Sequence, residues 1–125
     1  MAEFSTAALG FLLEMTVLVT GGAGFVGVNI VEALLARGEE VVLCDGGILP
    51  PAAGRALQPY AKALTVLYGN VLNAQFLQSA FAGRRIANVV HCAAVTSGPE
   101  REAREPEKIV EVNLAGTIGV LDAAR

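Results

Sequence analysis

The sequence predicts an α/β domain built on a doubly wound parallel sheet of about four strands in the order 3-2-1-4. Three observations predict it. Four short apolar runs alternate with segments whose apolar residues recur at helical spacing. A glycine-rich turn, Thr20-Gly21-Gly22-Ala23-Gly24-Phe25-Val26-Gly27, follows the first run directly and opens the first helix. Hydrophobic residues make up 54% of the chain and charged ones 17%, as expected when central strands are apolar on both faces.

The elements follow in order. Met15 to Val19 is the first strand. The helix from Phe25 carries Val28, Val31, Leu34 and Leu35 on one face and ends at Gly38, a natural residue just past a helix end. Val41 to Cys44 is the second strand, closed by Asp45. A turn-rich connection, Gly46 to Gly54 with Pro50-Pro51, leads to a short helical stretch from about Arg55 to Ala63. Leu64 to Tyr68 forms the third strand, ended by Gly69. Asn73 caps a helix whose positions Phe76, Leu77, Ala80 and Phe81 keep helical spacing up to Gly83. Val89 to Cys92 is the fourth strand, and a last helix runs from Pro106 to Arg125, with proline at an allowed first position. Right-handed crossovers make the sheet parallel.

The glycine turn is the chemically informative element. Backbone N–H groups at a helix N-terminus point at an anion, and the helix dipole favours negative charge there. Gly22, Gly24 and Gly27 satisfy the Gly-x-Gly-x-x-Gly pattern, and the preceding strand, the following helix and Asp45 supply its context. Gly21 and Gly22 permit the tight turn, Gly24 lets the backbone approach a pyrophosphate, and Gly27 allows close packing of the helix on the strand. Asp45 stands where an acid would accept hydrogen bonds from both adenosine ribose hydroxyls. A 2′-phosphate there meets a like charge, and Gly46, Gly47 and Ile48 offer no cation; Arg55 is the first one after Asp45. The cofactor expected is therefore NAD rather than NADP.

Size and charge narrow the classes. At 125 residues the chain is one domain at most, and its net charge of -3 without a basic cluster argues against nucleic acid as a partner. The mixed-charge stretch Glu100 to Lys108 reads as a solvated helix start or loop, in which Glu100 and Arg104 are spaced to pair. Cys44 and Cys92 close two strands with the first strand between them. That puts them roughly 9.6 Å apart, beyond the reach of a disulfide of about 7 Å between Cα atoms. Reduced thiols fit a cytoplasmic protein. Neither cysteine has a metal-ligand context. Residues 1–14 precede the first strand and hold an apolar run, Ala7 to Leu13, too short to span a membrane. Glu3 stands where a signal peptide carries positive charge. The segment reads as an alternative start or added leader, or as a capping helix, and residues 15–125 as the amino-terminal part of a dinucleotide-binding domain.

The blocks Thr20 to Gly27, Asp45, Val90-His91-Cys92-Ala93-Ala94 and Val112-Asn113-Leu114-Ala115-Gly116-Thr117 occur in the order and spacing of a known family. The chain resembles the extended short-chain dehydrogenases/reductases, the NAD-dependent epimerases and dehydratases, and it does so from Met15 to Arg125. The resemblance implies a Rossmann-like fold. It implies that Phe25 and Val26, flanked by Gly21, Gly24 and Gly27, hold the pyrophosphate, and that Asp45 holds the adenosine ribose. Asn70-Val71 takes the place of a pair that normally begins with Asp and contacts adenine; an amide oxygen still accepts that bond, without charge assistance. Cys92, Ala93 and Ala94 are implied to run toward the nicotinamide ribose, and Asn113 to stabilise the backbone near the active site. Gly119 is a further departure, since relatives often place a second asparagine there. His91 is expected to shape the fold or the cofactor site rather than to catalyse, having no Ser, Cys or carboxylate partner at a recognisable spacing. Thr96 and Ser97 are candidate pocket residues, equally well explained as loop polarity.

The family's chemistry requires a Tyr-x-x-x-Lys pair with a Ser or Thr. Tyr60 and Tyr68, the two tyrosines, are followed four positions later by Leu64 and Leu72. No catalytic residue is therefore assigned, and the chain reads as one element short of that machinery. Two readings remain. One is a part of an NAD-dependent epimerase, dehydratase or dehydrogenase acting by hydride transfer on a nucleotide sugar or small hydroxy compound. The other is a non-catalytic NAD-binding module. The fourth strand is expected to leave an open apolar edge, which favours marginal stability or a homodimer.

Overall fold

The computed structural model describes residues 15–96 and 98–125. The expected leader and Ser97 lie outside the described residues. Strand β1 (Thr16–Thr20) leads into α1 (Phe25–Ala36), β2 (Glu40–Asp45), α2 (Pro51–Leu57), β3 (Leu64–Tyr68), α3 (Ala74–Phe81) and β4 (Ile86–His91). Two short helices, α4 (Pro99–Arg104) and α5 (Pro106–Val110), precede a π-turn (Glu111–Ala115) that continues into α6 (Gly116–Ala123). All pairings are parallel and the strand order is β3-β2-β1-β4, as expected.

Burial follows from that order. β1 is buried at every position and β2 along Val41 to Cys44, because each has a strand on either side and helices on both faces. Alternation along β1 divides the core. Val17 and Val19 pack with Val31 and Leu35 of α1, with Val41 and Leu43, and with Leu57 of α2. Leu18 faces the other way, with Val42, Cys44 and Ala80 of α3. A third cluster, Val71, Leu77 and Val120, joins α3 to α6. Each fully buried aliphatic side chain contributes about 1.5–3 kcal/mol relative to exposure.

The helix ends are those the residues dictate. Gly38 has a φ of 85° and its N–H reaches Leu35 O, closing α1 in a left-handed conformation that costs glycine nothing. Asn73 Oδ1 accepts from Phe76 N at 3.1 Å, the cap expected for α3. One helix begins earlier than the sequence suggests. α2 starts at Pro51, whose fixed φ suits a first helical position. It stops at Leu57 because Pro59 has no N–H to continue the ladder; a 3₁₀ turn, Gln58–Tyr60, follows instead. The fourth strand also starts earlier, at Ile86.

In the charged stretch the i, i+4 ion pair is Arg101–Glu105 at 4.0 Å, one residue along from the expected Glu100–Arg104, with Lys108 at 3.9 Å from the same Glu105. Both are exposed and contribute little. On the last helical segment Val110, Leu114, Ile118 and Leu121 are each more than half exposed and form one apolar stripe. Both cysteines are free. Thr20 is the register partner of Cys44 on one side and His91 on the other, so β1 separates Cys44 from Cys92 as predicted. Burial pushes the Cys44 thiol up to about 11, with Arg84 opposing and Asp45 adding to the shift. No helix among the described residues is long and apolar enough to cross a membrane.

Candidate functional site

In a sheet ordered β3-β2-β1-β4, the chain reverses its direction of progress between β1 and β4. The crevice beyond the C-terminal ends of those strands is where open α/β sheets bind ligands. The glycine turn follows β1, Asp45 ends β2, Asn70 follows β3 and the 92–96 loop follows β4, so all lie at C-terminal strand ends.

Gly21 makes the turn possible. Its φ is 65°, and a Cβ on it would collide with Cys92 C and Ala93 N, so the turn lies against the chain leaving β4. At Gly27 a Cβ would run into Gly21 O and Gly22 Cα. Gly27 thus serves close packing, though against the turn rather than the strand. Gly24 differs from both. A Cβ there would meet only Gly21 O, at 3.3 Å, and its outer side is open.

The first turn of α1 is bare. Gly24 at the N-cap supplies no side-chain cap, and no acidic residue lies in the first turn. The first helical bond is Val28 N to Gly24 O, at 2.9 Å. Phe25 and Val26, 89% and 60% exposed, therefore present amides without an intrahelical acceptor. Asp45 closes the other side. Its Oδ2 accepts from Ala23 N at 2.9 Å and its Oδ1 from Gly47 N at 2.7 Å. Each carboxylate oxygen keeps a further acceptor site. A pyrophosphate fits the open, donor-lined turn, and ribose hydroxyls fit the remaining lone pairs of Asp45.

Beyond β3, Asn70 Oδ1 accepts from Leu72 N at 2.9 Å, a local turn that fixes the amide at the exposed surface. Val71 is only 8% exposed and packs with Leu77 and Val120. Its side chain belongs to the core.

The loop after β4 is tied at both ends. Cys92 N donates to Thr20 O at 3.0 Å and Ala93 N to Thr20 Oγ1 at 3.3 Å. Cys92 and Ala93 are half-buried, and Ala94 is exposed. Asn113, in the π-turn, grips Val95 twice: Oδ1 accepts from Val95 N at 2.7 Å, and Nδ2 donates to Val95 O at 3.1 Å. Thr96 lines a wide depression beside Arg101 and Arg104, away from the glycine turn.

Sequence reasoning left His91 without a polar partner, and the structure gives it two. Thr20 Oγ1 lies 2.6 Å from Nδ1 and Thr117 Oγ1 lies 3.1 Å from Nε2. Burial lowers the His91 pKa below its ordinary value. No group of metal-ligating side chains occurs among the described residues.

Residues 17–125 match the NAD dependent epimerase/dehydratase family. The UDP-glucose 4-epimerase of Lacticaseibacillus casei is 36% identical over 109 residues, covering 87% of this chain and 31% of the relative. That of Erwinia amylovora is 33% identical over 113 residues, covering 89% and 33%. The solved UDP-glucose 4-epimerase of Bifidobacterium longum, in complex with NAD+ and UDP, aligns with a TM-score of 0.77 and 32% identity over 87% of this chain and 33% of that one. The chain therefore spans about a third of the length of the relatives it matches.

Proposed function

Because this chain belongs to the NAD dependent epimerase/dehydratase family, we propose that it is the NAD-binding part of an epimerase, dehydratase or dehydrogenase that acts on a nucleotide sugar by hydride transfer. The observation that carries this reading is the bare N-terminus of α1 facing an open turn beside the anchored Asp45 carboxylate. Phe25 and Val26 N–H hold the pyrophosphate, Asp45 accepts from the adenosine ribose, and Asn70 lies toward the adenine. The backbone from Cys92 to Ala94 runs along the nicotinamide ribose, kept in place by the grip of Asn113 on Val95. When bound, nicotinamide supplies the carbon that takes and returns the hydride. The likeness to an epimerase solved with NAD+ and UDP supports a nucleotide-sugar substrate over a small hydroxy acid. Two free cysteines support a cytoplasmic setting.

The 125 residues contain no Tyr-x-x-x-Lys pair, so the chain by itself is expected to bind NAD weakly and to turn nothing over. Calorimetric titration with NAD, alongside a hydride-transfer assay on UDP-sugars, checks both parts. Absence of NAD binding at millimolar cofactor overturns the site assignment, and measurable hydride transfer overturns the assignment of catalysis to residues outside this chain.

Self-association belongs to the same proposal. Among the described residues β4 ends the sheet, with Ala87 and Asn88 exposed and no strand along its outer side. Such edges pair with other strands. Sedimentation velocity is expected to show a dimer; a monodisperse monomer that melts cooperatively without cofactor counts against it.

A further inference from the structure

His91, the chain's one histidine, sits in a hydrogen-bond chain whose proton directions are all determined. Thr117 Oγ1 donates its single proton to Asn113 O, at 2.7 Å. It can then only accept from His91, so Nε2 carries the ring proton. A neutral imidazole has one such proton, which leaves Nδ1 bare. The Thr20 hydroxyl therefore donates to Nδ1, and its oxygen stays available to the Ala93 N–H. Every donor has an acceptor, and the chain joins the end of β1, the end of β4, the π-turn and the loop. The π-turn is part of the arrangement: Gly116 N reaches back five residues to Glu111 O, and within that turn Asn113 offers its carbonyl to Thr117 and its amide to Val95.

We propose that neutral His91, fixed as the Nε2–H tautomer between Thr20 and Thr117, is the positioning residue that pins the 92–95 loop against the glycine turn, and that charging the ring releases this pin. A second ring proton on Nδ1 faces Thr20 Oγ1, which already accepts from Ala93. The Thr20 hydroxyl, on a side chain with no exposed surface, then loses its acceptor. To find another acceptor the Thr20 hydroxyl must turn about χ1, which carries Oγ1 away from Ala93 N and loosens the loop at Ala93.

The surroundings hold few ionisable groups to oppose this. β1 has none, and β4 has none besides His91. The loop adds Cys92, and the π-turn and α6 add Glu111 and Asp122, both exposed, with Asp122 paired to Arg125 at 3.6 Å. The pKa of His91 is lowered by burial, in keeping with a neutral ring. A lowered value in the folded state means that the contribution to stability is complete above the ordinary 6.5. It is lost as pH falls from there through the folded value.

The effect on cofactor rests on the reading of the loop as a wall of the NAD site; the tautomer does not. Long-range proton–nitrogen correlation spectra of the chain labelled in histidine report one ring. The expected spectrum at neutral pH has Nε2 protonated and Nδ1 bare, and Thr117→Val is expected to turn this into a mixture of tautomers. A wild-type Nδ1–H ring, or an averaged one, overturns the proposal without reference to NAD. NAD affinity is then expected to fall severalfold from about pH 7 to pH 5 in the wild type. His91→Gln, which keeps a donor and an acceptor that cannot titrate, is expected to flatten that fall. An equal pH dependence in both proteins removes the release step.

Discussion

Gly21→Ala is expected to destabilise the protein by about 2–5 kcal/mol, whereas Gly24→Ala is expected to leave stability nearly unchanged and weaken NAD binding. The two glycines lie three residues apart in one turn, yet the structure gives them different work. At Gly21 two costs add. A φ of 65° costs an L-residue about 1–2 kcal/mol. The new methyl would overlap Cys92 C and Ala93 N, which are backbone atoms held by bonds to Thr20. Forcing a methyl into such a packed contact costs a further ~1–3 kcal/mol. Against a total stability of about 5–15 kcal/mol, this lowers the melting temperature by on the order of 10 °C or more.

Gly24 has a φ of -74° and a ψ of 168°, a conformation any residue adopts. Its methyl would touch only Gly21 O, which needs to give slightly. The methyl would instead stand where a pyrophosphate approaches the Phe25 and Val26 amides. Loss of one charge-assisted bond, about 1.5–3 kcal/mol, weakens binding roughly 10- to 100-fold. Thermal melts and NAD titrations of the two variants check the contrast. Wild-type affinity in Gly24→Ala would show that the anion does not lie over this turn.

The contrast between these glycines also marks what the sequence can and cannot reveal. Strand, turn and helix were legible because each is local: apolar runs, a glycine pattern and a capping Asn73 need only neighbouring residues. The position of α2, Pro51–Leu57 rather than about Arg55 to Ala63, was missed for a local reason, the weight given to Pro50-Pro51 as a turn rather than to Pro51 as a helix start. The His91 partners were missed for a different reason. Thr20 lies 71 residues away and Thr117 26 residues away, and no spacing rule connects them. A signal existed all the same. Once β1 and β4 are taken as neighbours, Thr20 and His91 fall opposite one another at the strand ends, and alternation sends both side chains to the face that α6 covers. Val71 shows the converse. Motif position marks it as a cofactor contact, but the site packs its side chain into the core. A motif fixes where the backbone lies more reliably than where a side chain points.

The second large effect concerns cofactor choice. NADP is expected to bind at least tenfold more weakly than NAD, and Asp45→Asn is expected to bring the two affinities close together. Asp45 does not hang free in the crevice. Ala23 N holds Oδ2 and Gly47 N holds Oδ1, so the carboxylate cannot swing away from an incoming group. In the proposed site two ribose hydroxyls would meet its unused lone pairs. A 2′-phosphate at the same place meets a fixed like charge, which at about 4 Å and an effective dielectric near 20 costs about 4 kcal/mol for each pair of charges. Asp45 is half-buried, and screening by solvent and salt reduces that figure; even a third of it gives about a tenfold preference. The aspartate-to-asparagine change has a second consequence that separates this account from simple charge removal. The amide has one oxygen for two backbone donors, and its NH2 would face either the Ala23 or the Gly47 N–H. Leaving such a donor unpaired costs about 1–3 kcal/mol. The variant should therefore melt earlier while it loses its preference for NAD, because the carboxylate proposed to discriminate between the cofactors also holds the turn together. Comparable wild-type affinities for NAD and NADP would remove Asp45 from the ribose site. Lost preference without lost stability would instead show that the two backbone bonds contribute nothing to the fold.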